Sequence, residues 1–132
     1  MPIEVRLSTY FSDLYDQLPD RDLDLIDAFW DHCEIYGLQG WKGKIKPSWH
    51  IPLTYPDREA RSRHAKLNSL WHAHIGYPSW KPSRNPGHSY QVSDWVVHFV
   101  NKEADGYIRL VDYGFHNGIT NQFPLPGPRE LA

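Results

Sequence analysis

The chain has one cysteine and one methionine among its 132 residues, and it has no long run of apolar side chains. A single cysteine cannot form an internal disulfide, so nothing indicates the disulfide frameworks of small secreted proteins. No apolar run approaches the ~18 residues of a membrane span, and the N-terminal sequence has no signal-peptide core. We therefore expect a soluble cytoplasmic protein that makes no contact with a membrane.

Aromatic and histidine residues are abundant instead. The chain contains 6 Trp, 8 Tyr, 5 Phe and 8 His, while its 40% hydrophobic and 23% charged residues are close to the globular average. This length allows one hydrophobic core, so we expect residues 1–132 to form a single domain.

Charge is distributed unevenly along the chain, although the net charge is only -2. Residues 1–40 carry two basic and nine acidic side chains, whereas residues 41–84 carry nine basic and two acidic ones. The middle third therefore has the charge of a nucleic-acid-binding segment. The alternative is that the acidic and basic thirds pack near each other.

Hydrophobic periodicity predicts the main elements. Residues 3–10 alternate as a strand, residues 11–18 suit a short helix, and residues 20–36 have an apolar helical face that ends at Gly37. Residues 58–66 form a basic segment that leads into a strand over 67–75. Strands over 90–100 and 107–113 form a hairpin.

These elements predict an α+β fold. We expect one small, curved antiparallel sheet with the N-terminal helices packed on one of its faces. In the strand over 67–75, alternation places Leu70, His72 and His74 on one face and Trp71, Ala73 and Ile75 on the other.

Histidines are the first candidates for chemistry. His98 lies in the strand over 90–100, and His116 follows the strand over 107–113. Imidazole titrates near neutrality, so two histidines beside cations are suited to RNA transesterification, which requires a base, an acid and stabilisation of the phosphorane. A turn histidine and histidines hydrogen-bonded within the sheet are the plainer interpretations. His72 and His74, with His98 or His116, are also spaced to chelate a metal.

Basic loops supply candidate RNA-binding residues. These are Lys42, Lys44, Lys46, Arg61, Arg63, Lys66, Trp80 and Lys81. Trp41, Trp49 and Trp80 lie in these loops and are candidate platforms for base stacking, with packing roles as the alternative.

The pattern over residues 60–123 resembles a known family. The segments 70–75 (LWHAHI), 93–99 (SDWVVHF) and 107–112 (YIRLVD), followed by His116, look like the C-terminal half of the YafO group of bacterial toxins. That group is similar to the wider RelE/ParE superfamily.

The resemblance implies a fold and a function. It implies the toxin of a type II toxin–antitoxin pair, a metal-independent mRNA endoribonuclease that acts in the ribosomal A site and is held inactive by an antitoxin. His116 matches a histidine that follows the last core strand, and His98 stands where a tyrosine is common. Members usually carry an arginine before the final hairpin, and Arg84 or His88 would take its place here.

Cleavage of this kind needs no cofactor and no metal, so the expected partners are an antitoxin, mRNA and the ribosome. Two other functions remain as alternatives. One is a non-catalytic RNA- or protein-binding module of the same fold, and the other is a small metalloenzyme with histidine ligands.

Overall fold

The computed structural model describes residues 2–51, 57–83, 90–115 and 125–132. Within these ranges the chain forms seven strands, four α-helices and one 3₁₀ turn. In chain order they are β1 (Glu4–Leu7), α1 (Thr9–Tyr15), α2 (Asp20–Tyr36), β2 (Ile45–Pro47), α3 (Arg58–Leu67), β3 (Leu70–His74), β4 (Lys81–Pro82), β5 (Gln91–Val92), β6 (Trp95–Lys102), the 3₁₀ turn (Glu103–Asp105), β7 (Tyr107–Phe115) and α4 (Pro128–Leu131). No helix in these ranges is long and apolar enough to cross a membrane.

Five of the described strands form one sheet in the order β1-β7-β6-β3-β2, and β4 pairs with β5 in a separate ribbon. The expected α+β class is confirmed, but the sheet is mixed rather than antiparallel. β1 runs parallel to β7, with Glu4 opposite Tyr107 and Leu7 opposite Leu110. This pairing joins segments far apart in the chain, and hydrophobic periodicity carries no information about a partner so distant in sequence.

One face of the sheet packs against α2 and forms the main core. The helix contributes Ile26, Phe29 and Cys33, and the sheet contributes alternate strand residues that include Ala73 and Val97. All five of these side chains are buried without measurable exposure. The apolar residues of α2, which recur at three- and four-residue spacing, are thereby buried as far as Cys33, whereas Tyr36 at the end of the helix is 59% exposed.

The opposite face packs against α3 and α4. Ala65 of α3 joins Leu70, Val100 and Val111 in a second, smaller cluster, and Leu131 of α4 packs against it. The N-terminal helices α1 and α2 pack into the main core on one face, as expected, and α3 and α4 add a helical layer on the other face that the sequence did not predict. The sequence pattern hides this layer because α3 has a single fully buried side chain, Ala65.

Helix α2 has the predicted bounds. It begins at Asp20 and ends at Gly37, whose positive φ of 76° suits a residue without a side chain. Asp22, one of the acidic residues in its first turn, is buried and faces the sheet. The exposed acidic side chains are therefore fewer than the helical spacing predicts.

The other predicted segments differ in their bounds or in their type, most of all at three places. The strand over 3–10 stops at Leu7, because the Ser8 hydroxyl accepts a hydrogen bond from the Phe11 N–H (3.1 Å) and caps α1. The basic segment 58–66 is the helix α3 rather than a lead into the next strand. The strand over 90–100 is divided at Ser93 and Asp94 into β5 and β6.

A buried hydrogen bond joins α2 to the sheet. The Tyr113 hydroxyl of β7 donates to Oδ1 of Asp22 at 2.7 Å. Burial of the phenol, together with the acceptor Asp22, raises the pKa of Tyr113. The hydroxyl therefore remains a donor, and it stabilises a carboxylate that has little contact with water.

We predict that Tyr113→Phe lowers the free energy of unfolding by about 1.5–3 kcal/mol, because it leaves a buried carboxylate without its donor. Urea unfolding monitored by circular dichroism measures the loss. The matched control is Tyr15→Phe, which removes a 2.6 Å bond to the half-buried Asp27 and is expected to cost about 0.5–1.5 kcal/mol. Equal losses in the two variants would contradict the role given to burial.

Candidate functional site

Four ionisable side chains lie in one row across the sheet. Lys46 of β2 is paired with His72 of β3, His72 with His98 of β6, and His98 with Asp112 of β7. Residues in register on neighbouring strands point to the same face. We call these four residues the transverse row, and they lie on the face that α3 and α4 cover.

A register shift in β6–β7 pairing produces the last member of the row. His98 is opposite Asp112, but the next residue, Phe99, is opposite Leu110. Val111 is the extra residue of this bulge and packs in the smaller cluster. Without the shift, Val111 would stand opposite His98, and Asp112 would stand opposite Val97 on the face of the main core.

The histidines of this face are enclosed. His72 and His98 have 0% exposure and His74 has 5%, and both His74 and His98 lie with their ring centroids 6.0 Å from that of His72. The predicted alternation of Leu70, His72 and His74 on one face of β3 is confirmed by this arrangement.

Serine side chains and backbone atoms orient two of these rings. Oγ of Ser48, a buried residue, lies 2.9 Å from Nδ1 of His72. Nδ1 of His74 lies 3.0 Å from the backbone nitrogen and 2.7 Å from the carbonyl oxygen of Ser93. The break between β5 and β6 at Ser93 therefore brings backbone atoms to a histidine of this face.

The two ends of the row are also affected by burial. Burial raises the pKa of Asp112 to about 6, although its Oδ1 accepts a hydrogen bond from the Tyr113 N–H that favours the charged form. Burial lowers the pKa of Lys46, and the adjacent Lys44 lowers it further. A carboxyl group that titrates near pH 6 and stands opposite one imidazole, that of His98, is the kind of arrangement that active sites use for proton transfer.

Cations lie on the same side of the sheet as the row. Helix α3 carries Arg58, Arg61, Arg63 and Lys66, and it packs over β3. Helix α2, with the exposed Asp24 and Asp31, lies on the opposite face. The acidic helix α2 and the basic helix α3 thus lie on opposite faces of the sheet.

The predicted catalytic residues are divided by the structure. His98 is a member of the transverse row. His116, His88 and Arg84 lie outside the described residues, so their roles stay predictions. Among the described residues no group of three or more His, Cys, Asp or Glu side chains could hold a metal ion. A metal site that included His116 likewise lies outside the described residues.

The predicted RNA-binding residues have varied surroundings. Lys42 lies over the ring of Trp80 (5.1 Å), Lys44 lies over Tyr90 (5.6 Å), and Lys81 forms a 2.9 Å ion pair with Asp94. Arg61, Arg63 and Lys66 lie on α3. Of the set, Lys46 is the residue that belongs to the row.

Trp80 and Trp41 are packing residues. The Trp80 ring lies against Gly43 and Gly76, where an added Cβ would come within 2.7 Å and 2.6 Å of it. Trp41 stacks edge-on against Phe29, and its Nε1 donates to the His74 carbonyl oxygen at 2.8 Å. Trp49 is only partly buried, and it lines an open cleft at the end of the sheet.

Asp112 is the site residue that reasoning from the sequence missed. It stands within an alternating strand, where a polar residue ordinarily faces water. The sequence signal was present, because His98 and Asp112 lie in two segments predicted to pair as a hairpin. Their alignment depends on the bulge at Val111, which no turn or spacing signal indicates.

Comparison with known proteins adds no assignment. No family model, no curated protein and no solved structure matches this chain. Any functional assignment therefore depends on the geometry of the described residues.

We predict that Asp112→Asn stabilises the protein at neutral pH. A carboxyl whose pKa is raised in the folded state contributes stability below about pH 4 that is lost as pH rises through about 6. An amide has no charge to bury, so the variant should gain on the order of 1–2 kcal/mol at pH 7 and nothing at pH 4. Thermal and urea unfolding at the two pH values measure this.

The matched control for this experiment is Asp24→Asn, on the exposed side of α2. It should change stability by less than about 0.5 kcal/mol at both pH values. A loss of stability at pH 7 in Asp112→Asn would contradict the inferred burial of charge.

Proposed function

We propose that the protein is an endoribonuclease, the toxin of a type II toxin–antitoxin pair, and that it cleaves mRNA by metal-independent transesterification. The observation that carries the proposal is the transverse row, Lys46–His72–His98–Asp112. Two imidazoles and a carboxyl group whose pKa is raised to about 6 by burial stand in this row, with an ammonium group at one end.

The proposed reaction needs two proton transfers. The ribose 2′-oxygen attacks phosphorus while its proton passes to a base, and the P–O5′ bond breaks while the 5′-oxygen takes up a proton. The products are a 2′,3′-cyclic phosphate and a 5′-hydroxyl. Cations stabilise the charge that develops on the phosphorane oxygens.

We assign the proton transfers and the phosphate contacts to different residues according to how deeply each residue is buried. His72 and His98 are fully enclosed, so we assign them a role in taking up and releasing protons inside the protein and no direct contact with RNA. We assign contact with the scissile phosphate to the half-buried Lys46 on β2 and to His116, which in the sequence directly follows Phe115, the last residue of β7. His116 is the proposed general acid, as the sequence suggests.

The segments that resemble the YafO group support the same assignment. Residues 70–75, 93–99 and 107–112 coincide largely with β3, β6 and β7, the strands that carry His72, His98 and Asp112. The antitoxin and the ribosome enter the proposal through this resemblance. The separation of charge across the sheet supports an RNA that approaches from the α3 side, away from the acidic α2.

We predict that His98→Gln lowers the rate of RNA cleavage by about 100-fold or more, because an amide cannot take up and release a proton as an imidazole can. Cleavage of labelled mRNA, alone and on ribosomes, measures the loss, and induced expression in a bacterium measures growth arrest. The control is His32→Gln on α2, whose Nε2 lies 2.7 Å from the Gln39 carbonyl oxygen on the opposite side of the sheet.

Two outcomes of this experiment would overturn the proposal. If the parent protein binds RNA but cleaves none, with or without ribosomes, the binding-module alternative is correct. If His98→Gln is folded and cleaves RNA as fast as the parent, the row takes no part in catalysis.

We also predict that charge reversal on α2 leaves cleavage unchanged. Asp24→Lys with Asp31→Lys should keep kcat/KM within about two-fold, because both side chains face away from the proposed RNA path. The matched reversal on α3, Arg58→Glu with Arg63→Glu, should raise KM by roughly ten-fold or more at low salt. A large loss of kcat/KM in the α2 variant, with the α3 variant unaffected, would mean that RNA binds on the α2 face and would contradict the proposal.

A further inference from the structure

Two tryptophans form a corner at the end of the sheet where β3 begins and β6 ends. Trp49 follows β2 and Trp71 lies in β3, and their ring centroids are 6.0 Å apart with the rings perpendicular (90°). Both side chains are partly buried, and both line an open cleft. Lys66 of α3 and Asn101 and Lys102 of β6 complete that wall of the cleft.

The core explains only part of this arrangement. Trp71 packs against the main core cluster and Trp49 against the smaller one, so each ring has one side in the protein. The remaining surface of each ring faces the same cleft. A planar ligand beside two perpendicular rings can stack on the face of one ring and contact the edge of the other. Offset stacking and edge-to-face contact are the two arrangements that aromatic pairs favour.

A line of cations leads to this corner. A second cleft on α3 is lined by three cations, Arg58, Arg63 and Lys66, together with Glu59, Ser62 and Leu67, and Lys66 belongs to both clefts. Arg58 and Lys66 are separated by about 12 Å along the helix, which is long enough to follow a phosphate backbone past more than one phosphate. The cations thus lie beside the aromatic corner rather than within it.

Acidic side chains limit what can occupy the far wall. Glu103 and Asp105 of the 3₁₀ turn also line the cleft of the tryptophans. Carboxylates repel a phosphate but accept hydrogen bonds from the ring N–H and amino groups of a nucleobase. A nucleotide can place its base against the carboxylates of the 3₁₀ turn and its phosphates against the cations of α3. A free phosphate would be repelled by those carboxylates.

We propose that the Trp49–Trp71 corner is a base-binding subsite for single-stranded RNA, with Lys66 and the α3 arginines holding the adjoining phosphates. The subsite rests on RNA being the ligand, as proposed above, but it requires no cleavage. Stacking of one base on an aromatic side chain and contact of its phosphates with cations are the two interactions that sequence-tolerant single-strand binding uses.

The test measures binding of a fluorescein-labelled 2′-O-methyl oligonucleotide of about eight residues, which has no 2′-hydroxyl and cannot be cleaved. Trp49→Leu should weaken binding by roughly five- to 100-fold, and Trp49→Phe should retain most of it. The matched control is Trp30→Leu on α2, which should bind as the parent does. Lys66→Gln should lower the slope of log K against log[salt] by about 0.7.

A second measurement uses the unaltered protein, so that a misfolded variant cannot obscure the result. Ultraviolet crosslinking of an oligonucleotide that carries 5-bromouridine, followed by mass spectrometry, should label peptides that contain Trp49 or Trp71. Parent-like binding by folded Trp49→Leu, or crosslinks confined to other peptides, overturns the subsite.

The outcomes for the two proposals can be told apart. Loss of cleavage in His98→Gln with unchanged RNA binding supports both proposals. Binding of RNA at the corner, without any cleavage by the parent protein, supports the subsite and contradicts the endoribonuclease activity.

Discussion

The pairing of β3 with β6 is the constraint on which the rest of the structure depends. It places His72 opposite His98 on one face, and on the other it places Ala73 opposite Val97, where α2 packs. A slip of one residue in β6 would bring His98 into the apolar core and move Val97 to the histidine face. The core and the transverse row are therefore fixed by the same register, and neither can change without the other.

Burial of the transverse row makes the folded protein less stable than apolar residues at the same positions would. Ionisable groups removed from water favour their neutral forms, and the raised pKa of Asp112 and the lowered pKa of Lys46 both express this. A chain under pressure for stability alone would place leucine or valine at these positions, as it does at Val96 and Val100 on the same face. Strained or costly arrangements of this kind concentrate at functional sites, which is the physical reason for assigning chemistry to the row.

Reasoning from the sequence succeeded where the signal is local. Helix α2 has a continuous apolar face and a glycine at its end, and both bounds were predicted. Helix α3 was missed because one alanine, Ala65, is its only fully buried residue, so its periodicity is invisible among charged side chains. The sequence also did not predict the pairing of strands that are distant in the chain. The parallel β1–β7 contact and the bulge that aligns Asp112 with His98 depend on packing between distant segments, although the histidines themselves were identified as candidates.

The parallel pairing of β1 with β7 also determines when the sheet can be completed during synthesis. β1 leaves the ribosome long before its partner strand, which begins at Tyr107. The transverse row has the same property, since Lys46 is translated long before Asp112. Contacts of such long sequence separation form late, because the loop between them must first be closed. A nascent chain therefore carries its acidic helix and its basic helix before it carries an assembled row, and the row comes together only after β7 has been made.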